Sequence, residues 1–182
     1  VGLSGVGKGT VLEEAMMLSD EDYKVINYGD RMLETAKDQG LVDNRDELKN
    51  LDVETSKEVQ RDAAESIVED SKEQNIIVDT HAAIQTPFGY LPGLPKWTVE
   101  NLDPEKIIIL KASPEAIYRR SQGDSDRDRE HDSIEEIDEY QSIAREMAAT
   151  GSVLTGAYLK IIENRDGEAE RAAEELVKTL QS

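Results

Sequence analysis

The feature that most constrains this chain is a glycine-rich run closed by a lysine, Gly2-Leu3-Ser4-Gly5-Val6-Gly7-Lys8-Gly9-Thr10. Gly2, Gly5 and Gly7 carry no Cβ, so the backbone can turn tightly and approach a ligand closely. Amides at such a turn, placed at the start of a helix, form a nest for an anion. Lys8 adds a point charge able to reach terminal phosphates. Gly2, Gly7 and Lys8 fit the pattern G-x-x-x-x-G-K-[ST] except at its last position, which is Gly9, and Thr10 follows one residue later. A chance glycine turn is the alternative. The helical-looking Val11-Leu12-Glu13-Glu14-Ala15-Met16-Met17 directly after it favours phosphate binding, because the motif requires a loop that opens a helix. The motif also asks for a strand before the loop. Only Val1 is available, and residues upstream of it are expected to complete that strand.

Short apolar blocks alternate with longer amphipathic stretches. Val11–Leu18 reads as a helix and 24–28 as a strand. Asp30 is expected to cap a helix running to Gln39, where Gly40 stops it. A short helix is expected over 45–51. Val59, Ala63, Ala64, Ile67 and Val68 recur at helical spacing within 53–72. Residues 75–80 read as a buried strand, 86–95 as a Pro/Gly loop and 106–111 as a second buried strand. Ser113-Pro114 opens a helix. Helices follow over 133–150 and 168–180, with a strand at 158–163 between them. Alternating strands and helices imply an α/β domain with a parallel sheet covered on both faces. At 182 residues one domain is expected.

The net charge is −19, which disfavours general binding to DNA or RNA. It also makes the chain self-repelling in dilute buffer and screened in concentrated salt, which suggests a high-salt cytoplasm. There are no cysteines, so disulfides and thiolate chemistry are excluded, and an intracellular enzyme fits. No apolar run approaches the length of a membrane span, and no secretion signal is expected.

Two further groups carry chemistry. Ile76-Ile77-Val78-Asp79 is an apolar strand ending in an acid, and beside a phosphate loop such an acid lies near metal-bound phosphates, often through water. A strand that merely ends in a turn is the bland alternative. His81 reads as a structural hydrogen-bonding residue rather than a proton shuttle. Arg119, Arg120, Arg127, Arg129 and Arg145 are five of the ten arginines, and no lysine falls between Ala112 and Leu159. Guanidinium groups bind phosphate oxygens bidentately, so this cluster reads as a closing segment that would clamp a phosphoryl group and exclude water. Alternating acids from Asp124 to Asp132 offer another reading, in which Arg127 and Arg129 are exposed ion pairs on a mobile insert.

Gly5–Thr10 resembles the phosphate loop of nucleoside monophosphate kinases. Val-Ile-Asn-Tyr-Gly-Asp (25–30), Asn-Arg-Asp-Glu-Leu (44–48), Val-Asp-Thr-His-Ala (78–82), Thr-Pro-Phe-Gly-Tyr-Leu-Pro-Gly-Leu-Pro (86–95) and Val-Leu-Thr-Gly-Ala (153–157) resemble the archaeal type of adenylate kinase. The resemblance runs over nearly the whole chain. It implies Mg²⁺-dependent transfer, ATP + AMP ⇌ 2 ADP, on a P-loop NTPase fold with a five-stranded parallel sheet. It further implies an AMP-binding segment over about 28–72, a lid over about 121–133, a cytoplasmic location and commonly a trimer. By matching position, Gly2, Gly5, Val6, Gly7, Lys8, Gly9 and Thr10 hold donor phosphates. Tyr28, Gly29, Arg45, Thr80, His81, Gln85, Gly89 and Tyr90 border AMP. Lys8, Arg120, Arg127, Arg129 and Arg145 are the catalytic cations, and Asp79 serves the metal through water. Gln85 and Lys49 replace basic residues common in the family, and Arg31 could supply a lost contact. Gly9 offers no hydroxyl to the metal, which leaves Mg²⁺ to phosphate oxygens and water. Alternatives are a UMP or CMP kinase and a P-loop ATPase acting as an assembly switch.

Overall fold

The computed structural model describes residues 1–123 and 133–182. Most of the expected lid, with Arg127 and Arg129, lies outside the described residues. Helix α1 spans Lys8–Leu18, strand β1 Tyr23–Asn27, helices α2 Tyr28–Asp38, α3 Arg45–Leu48 and α4 Val53–Ser71, and strand β2 Asn75–Asp79. Strands β3 (Ala83–Thr86) and β4 (Gly89–Pro92) follow, then helix α5 (Lys96–Leu102), strand β5 (Lys106–Lys111) and helix α6 (Pro114–Gly123). Helix α7 (Ile134–Thr155), strand β6 (Tyr158–Glu163) and helix α8 (Ala169–Leu180) complete the order.

The parallel character expected from the alternation is present. β1 pairs with β2 from Tyr23↔Asn75 to Asn27↔Asp79, and β5 pairs with β6 from Lys106↔Tyr158 to Lys111↔Glu163, both in parallel. Val1 adds one parallel rung beside β5: its nitrogen donates to Ile108 O (2.7 Å) and Leu110 N donates to its carbonyl (2.8 Å). The expected five-stranded sheet is thus seen as two parallel pairs and this single rung, with a cavity of about 520 Å³ lined by residues of both pairs. β2 is half-buried rather than buried, as befits a strand beside that space.

Local chemistry sets the element boundaries. Asn27, not Asp30, caps α2: its side chain accepts from Asp30 N, so Tyr28 already belongs to the helix. Asp52 caps α4 through Glu54 N and Thr55 N, and Ser133 caps α7 through Glu136 N. Helix α7 runs five residues past the expected end and stops at Gly156, whose φ of 78° suits the left-handed position. The Pro/Gly segment expected to be a loop is half of an antiparallel hairpin, with Ala83↔Pro92 and Thr86↔Gly89 in register. Thr86 Oγ1 accepts from Phe88 N and donates to Gly89 O, which closes the Pro87-Phe88 turn.

The main core gathers Leu3, Val6, Val11, Val99, Ile107, Ile117, Ile137, Ile162 and Leu176 around β5 and β6. Two smaller clusters lie apart from it. One joins Ile26, Tyr28, Ala63, Ala64 and Ile67, and the other joins Ala36, Val42 and Val59.

Candidate functional site

The run from Leu3 to Gly7 turns with φ values of 84° at Gly5 and 86° at Gly7, where a side chain would be strained. Close packing imposes a second requirement. A Cβ on Gly7 would lie 2.5 Å from Asn164 Nδ2, and one on Gly2 would lie 2.6 Å from Leu110 O. Close approach to Leu110 of β5 therefore requires Gly2. Gly9 has open space where a Cβ would sit. Gly7 occupies the N-cap of α1 and, being glycine, offers no side-chain cap to the first-turn amides. Those amides and the helix dipole are what an anion seeks.

Four side chains hold the carbonyls of this loop. Lys8 Nζ donates to Gly2 O at 3.0 Å, and His81 Nδ1 lies 3.1 Å from the same oxygen. Arg120 Nη1 donates to Gly5 O at 3.0 Å, and its Nη2 donates to Asp166 at 2.6 Å. Arg119 pairs with the other oxygen of Asp166. Asn164 Nδ2 donates to Val6 O at 2.8 Å. Lys8, His81 and Arg120 thus meet at one loop. The sequence does not single out Asn164 or Asp166, because nothing in a lone Asn or Asp marks a partner 158 or 46 residues away.

Asp79, at the end of β2, has a buried Oδ1 without a hydrogen-bond partner. Among the described residues no group of three or more His, Asp or Glu is arranged to hold a metal. A single orphaned carboxylate oxygen fits a role through metal-bound water and does not fit a dedicated cage. Thr80 is half-buried next to it.

A second cavity, of about 540 Å³, links the loop to the hairpin: Ser4 lines it together with His81, Gln85, Pro87 and Tyr140. Tyr140 fixes one wall. Its hydroxyl donates to Ala83 O (3.0 Å) and accepts from Gln85 N (3.2 Å), and its ring lies 5.2 Å from that of Tyr90. Partial burial and the nearby carboxylates of Glu139 and Glu136 hold the Tyr90 phenol above its ordinary pKa. Gly89, with φ 115°, closes the turn of the hairpin.

The remaining site residues are more dispersed. Arg45 pairs with Asp30, and its Nη1 would sit 3.3 Å from a Cβ on Gly29. Tyr28 is 2% exposed, and its hydroxyl donates to Gln60 O at 2.7 Å, so it packs as core. Burial pushes its pKa up to about 12. Arg31 bridges α2 to α4 through Ser66 and Asp70. Lys49 pairs with Asp46 on the surface. Arg145 is exposed on α7, one turn beyond Gln141, which bonds both the N–H and the carbonyl of Ala112 after β5.

A family model described as an AAA domain matches residues 1–138. The chain is 46% identical over 180 residues to an adenylate kinase of Methanothermobacter thermautotrophicus, spanning 99% of this chain and 96% of that protein. It is 47% identical over 183 residues to an adenylate kinase of Methanopyrus kandleri, covering 100% and 95% respectively. An adenylate kinase of Thermoplasma acidophilum is 42% identical over 179 residues, covering 98% and 95%.

Proposed function

The chain belongs to the archaeal adenylate kinase family, and from that premise we propose how its residues divide the work of ATP + AMP ⇌ 2 ADP, the phosphotransfer that membership assigns to it. The donor triphosphate sits on the amides from Gly2 to Thr10 at the start of α1. Lys8, which rests on Gly2 O at 3.0 Å, turns to the transferring phosphate and neutralises it. Arg120 exchanges its contact with Asp166 for phosphate oxygen. Arg127, Arg129 and Arg145 act from the lid, about 121–133, and from α7. Asp79 would hold Mg²⁺ through water, and the ion would supply charge neutralisation to the donor phosphates. No general base is required, because an AMP phosphate oxygen is already a nucleophile.

AMP occupies the cavity between Ser4 and the hairpin, lined by His81 and Gln85, with Thr80 preceding His81 and with Tyr90 and Gly89 paired to Gln85 and Thr86 across the hairpin. Arg45, beside Gly29, contacts its phosphate from the 28–72 segment. This acceptor assignment rests above all on one observation, the cavity that joins a phosphate-loop residue to His81 and Gln85. All 182 residues act as one catalytic unit. The −19 charge supports a halophilic, cytoplasmic setting. Exposed apolar residues Val153, Leu154 and Tyr158 support assembly into a trimer.

The test is ADP formation from ATP and AMP with Mg²⁺ across a KCl series, repeated with GMP, CMP and UMP as acceptors. AMP is expected to be preferred, with activity rising with salt. Folded protein that forms no ADP in concentrated KCl would overturn the reading. Preference for a pyrimidine monophosphate would reassign the acceptor.

A further inference from the structure

Asn164 follows the last residue of β6, and its backbone N–H donates to Lys111 O at 2.8 Å, so the sheet fixes its position. It is 4% exposed. Its Nδ2 donates to Val6 O, while its Oδ1 is buried without a partner. A buried amide with one orphaned end is a costly way to stabilise a fold, because its single bond to Val6 O is set against the desolvation of its Oδ1. What the side chain supplies is a donor, aimed at one carbonyl of the phosphate loop.

That carbonyl belongs to the peptide joining Val6 to Gly7. The peptide is planar and trans, so its oxygen and the following N–H point in opposite directions. Holding Val6 O against Asn164 therefore directs the Gly7 N–H away from Asn164, at the N-cap of α1 where a phosphate would sit. The same turn reaches the loop a second time, through Asp166, Arg120 and Gly5 O. Gly7 is flexible by nature, and Asn164 restricts it: the Nδ2 atom fills the space a Cβ would need.

We infer that Asn164 is a positioning residue for donor binding, which orients the Gly7 amide by accounting for the carbonyl behind it. The inference rests on the phosphate loop holding the donor nucleotide. It predicts a loss confined to the ATP side. Asn164→Asp keeps the shape but sets an oxygen against Val6 O. KM for ATP is expected to rise about ten-fold or more, with KM for AMP at saturating ATP within about two-fold of wild type. The rise in melting temperature caused by ATP should be lost, and that caused by AMP retained. Asn164→Ser, which keeps a donor of shorter reach, should fall between Asn164→Ala and wild type. A merely structural residue would lower the melting temperature and move both KM values together. That result, or an ATP KM unchanged in folded Asn164→Asp and Asn164→Ala, would overturn the inference. Should Asn164→Asp not fold, Ser and Ala decide it, and equal ATP KM values for the two would also overturn it. Wild-type protein that stabilises with ATP but forms no ADP would instead count against the kinase reading, and the melting shifts would still judge Asn164.

Discussion

The phosphate loop and the Tyr28–Ser71 segment are built in opposite ways. The loop is short, and side chains from distant parts of the chain hold the carbonyls of Gly2, Gly5 and Val6. It lies on the main core through Leu3, Val6 and Val11. The Tyr28–Ser71 segment is longer, yet its apolar contacts fall into two small clusters rich in alanine. Around them lie hydrogen bonds such as Tyr28 to Gln60 O and Arg31 to Ser66, and ion pairs, Asp30–Arg45 and Arg31–Asp70–Lys24, that are partly or largely exposed. Such pairs add little to stability. The loop is therefore built in advance, while the Tyr28–Ser71 segment is assembled from weak, local parts of the kind that open first. Under the proposed assignment a kinase would gain from this division: a rigid triphosphate seat needs no reorganisation, and a loosely held acceptor segment would admit and release AMP.

The most severe way to break the donor side is Lys8→Ala. Turnover should fall by about 10³-fold or more, with the melting temperature nearly unchanged, because the lost charge acts on the transferring phosphate. Activity close to wild type would remove Lys8 from the chemistry. Gly7→Ala should come next. It forces a Cβ into the left-handed region and against Asn164, at a cost of about 2 kcal/mol measured by denaturant unfolding. Because the loop is tied to the main core, that loss should appear as one cooperative transition.

The acceptor side should respond differently. Ile67→Ala removes a buried anchor of the second cluster and should cost about 2–4 kcal/mol locally. Hydrogen exchange should speed up through α2 and α4 while β5 and β6 stay protected. Uniform acceleration would erase the contrast between the two regions. Arg45→Ala should raise KM for AMP by about ten-fold with stability within about 0.5 kcal/mol of wild type. An equal rise in KM for ATP would show that Arg45 is not an acceptor-side residue.

The smallest effect is acid sensitivity. Asp52 is held below its ordinary pKa of 3.8 by Thr55, and Asp70 by Arg31 and Lys24. A depressed carboxylate contributes stability above its unfolded pKa and loses it as the pH falls through the folded value. Both residues flank or belong to α4. Below about pH 4 the 28–72 segment should thus loosen ahead of the loop. Simultaneous loss, followed by exchange at the two regions, would remove this part of the comparison.

These regions also differed in how much of them the residues reveal. The loop and its helix were legible, because glycines before a lysine at fixed spacing permit few structures. Strands β5 and β6 were legible as apolar or alternating runs with defined ends. The hairpin was not: Ile84 and Leu91 are exposed, so no buried stripe marks the strands, and β3 is braced by Tyr140 from a distant helix. The start of α2 shifted because Asn27 and Asp30 can both cap, and only the local backbone shows which one accepts. Asn164 carried no signal at all. Its importance depends on a carbonyl 158 residues earlier.

That separation bears on how the protein is made. During synthesis the phosphate loop emerges long before the strand end that steadies it, since Asn164 lies 158 residues after Val6. Closing so long a span is slow compared with local helix formation. A nascent chain thus carries an unsteadied loop until Asn164 has left the ribosome.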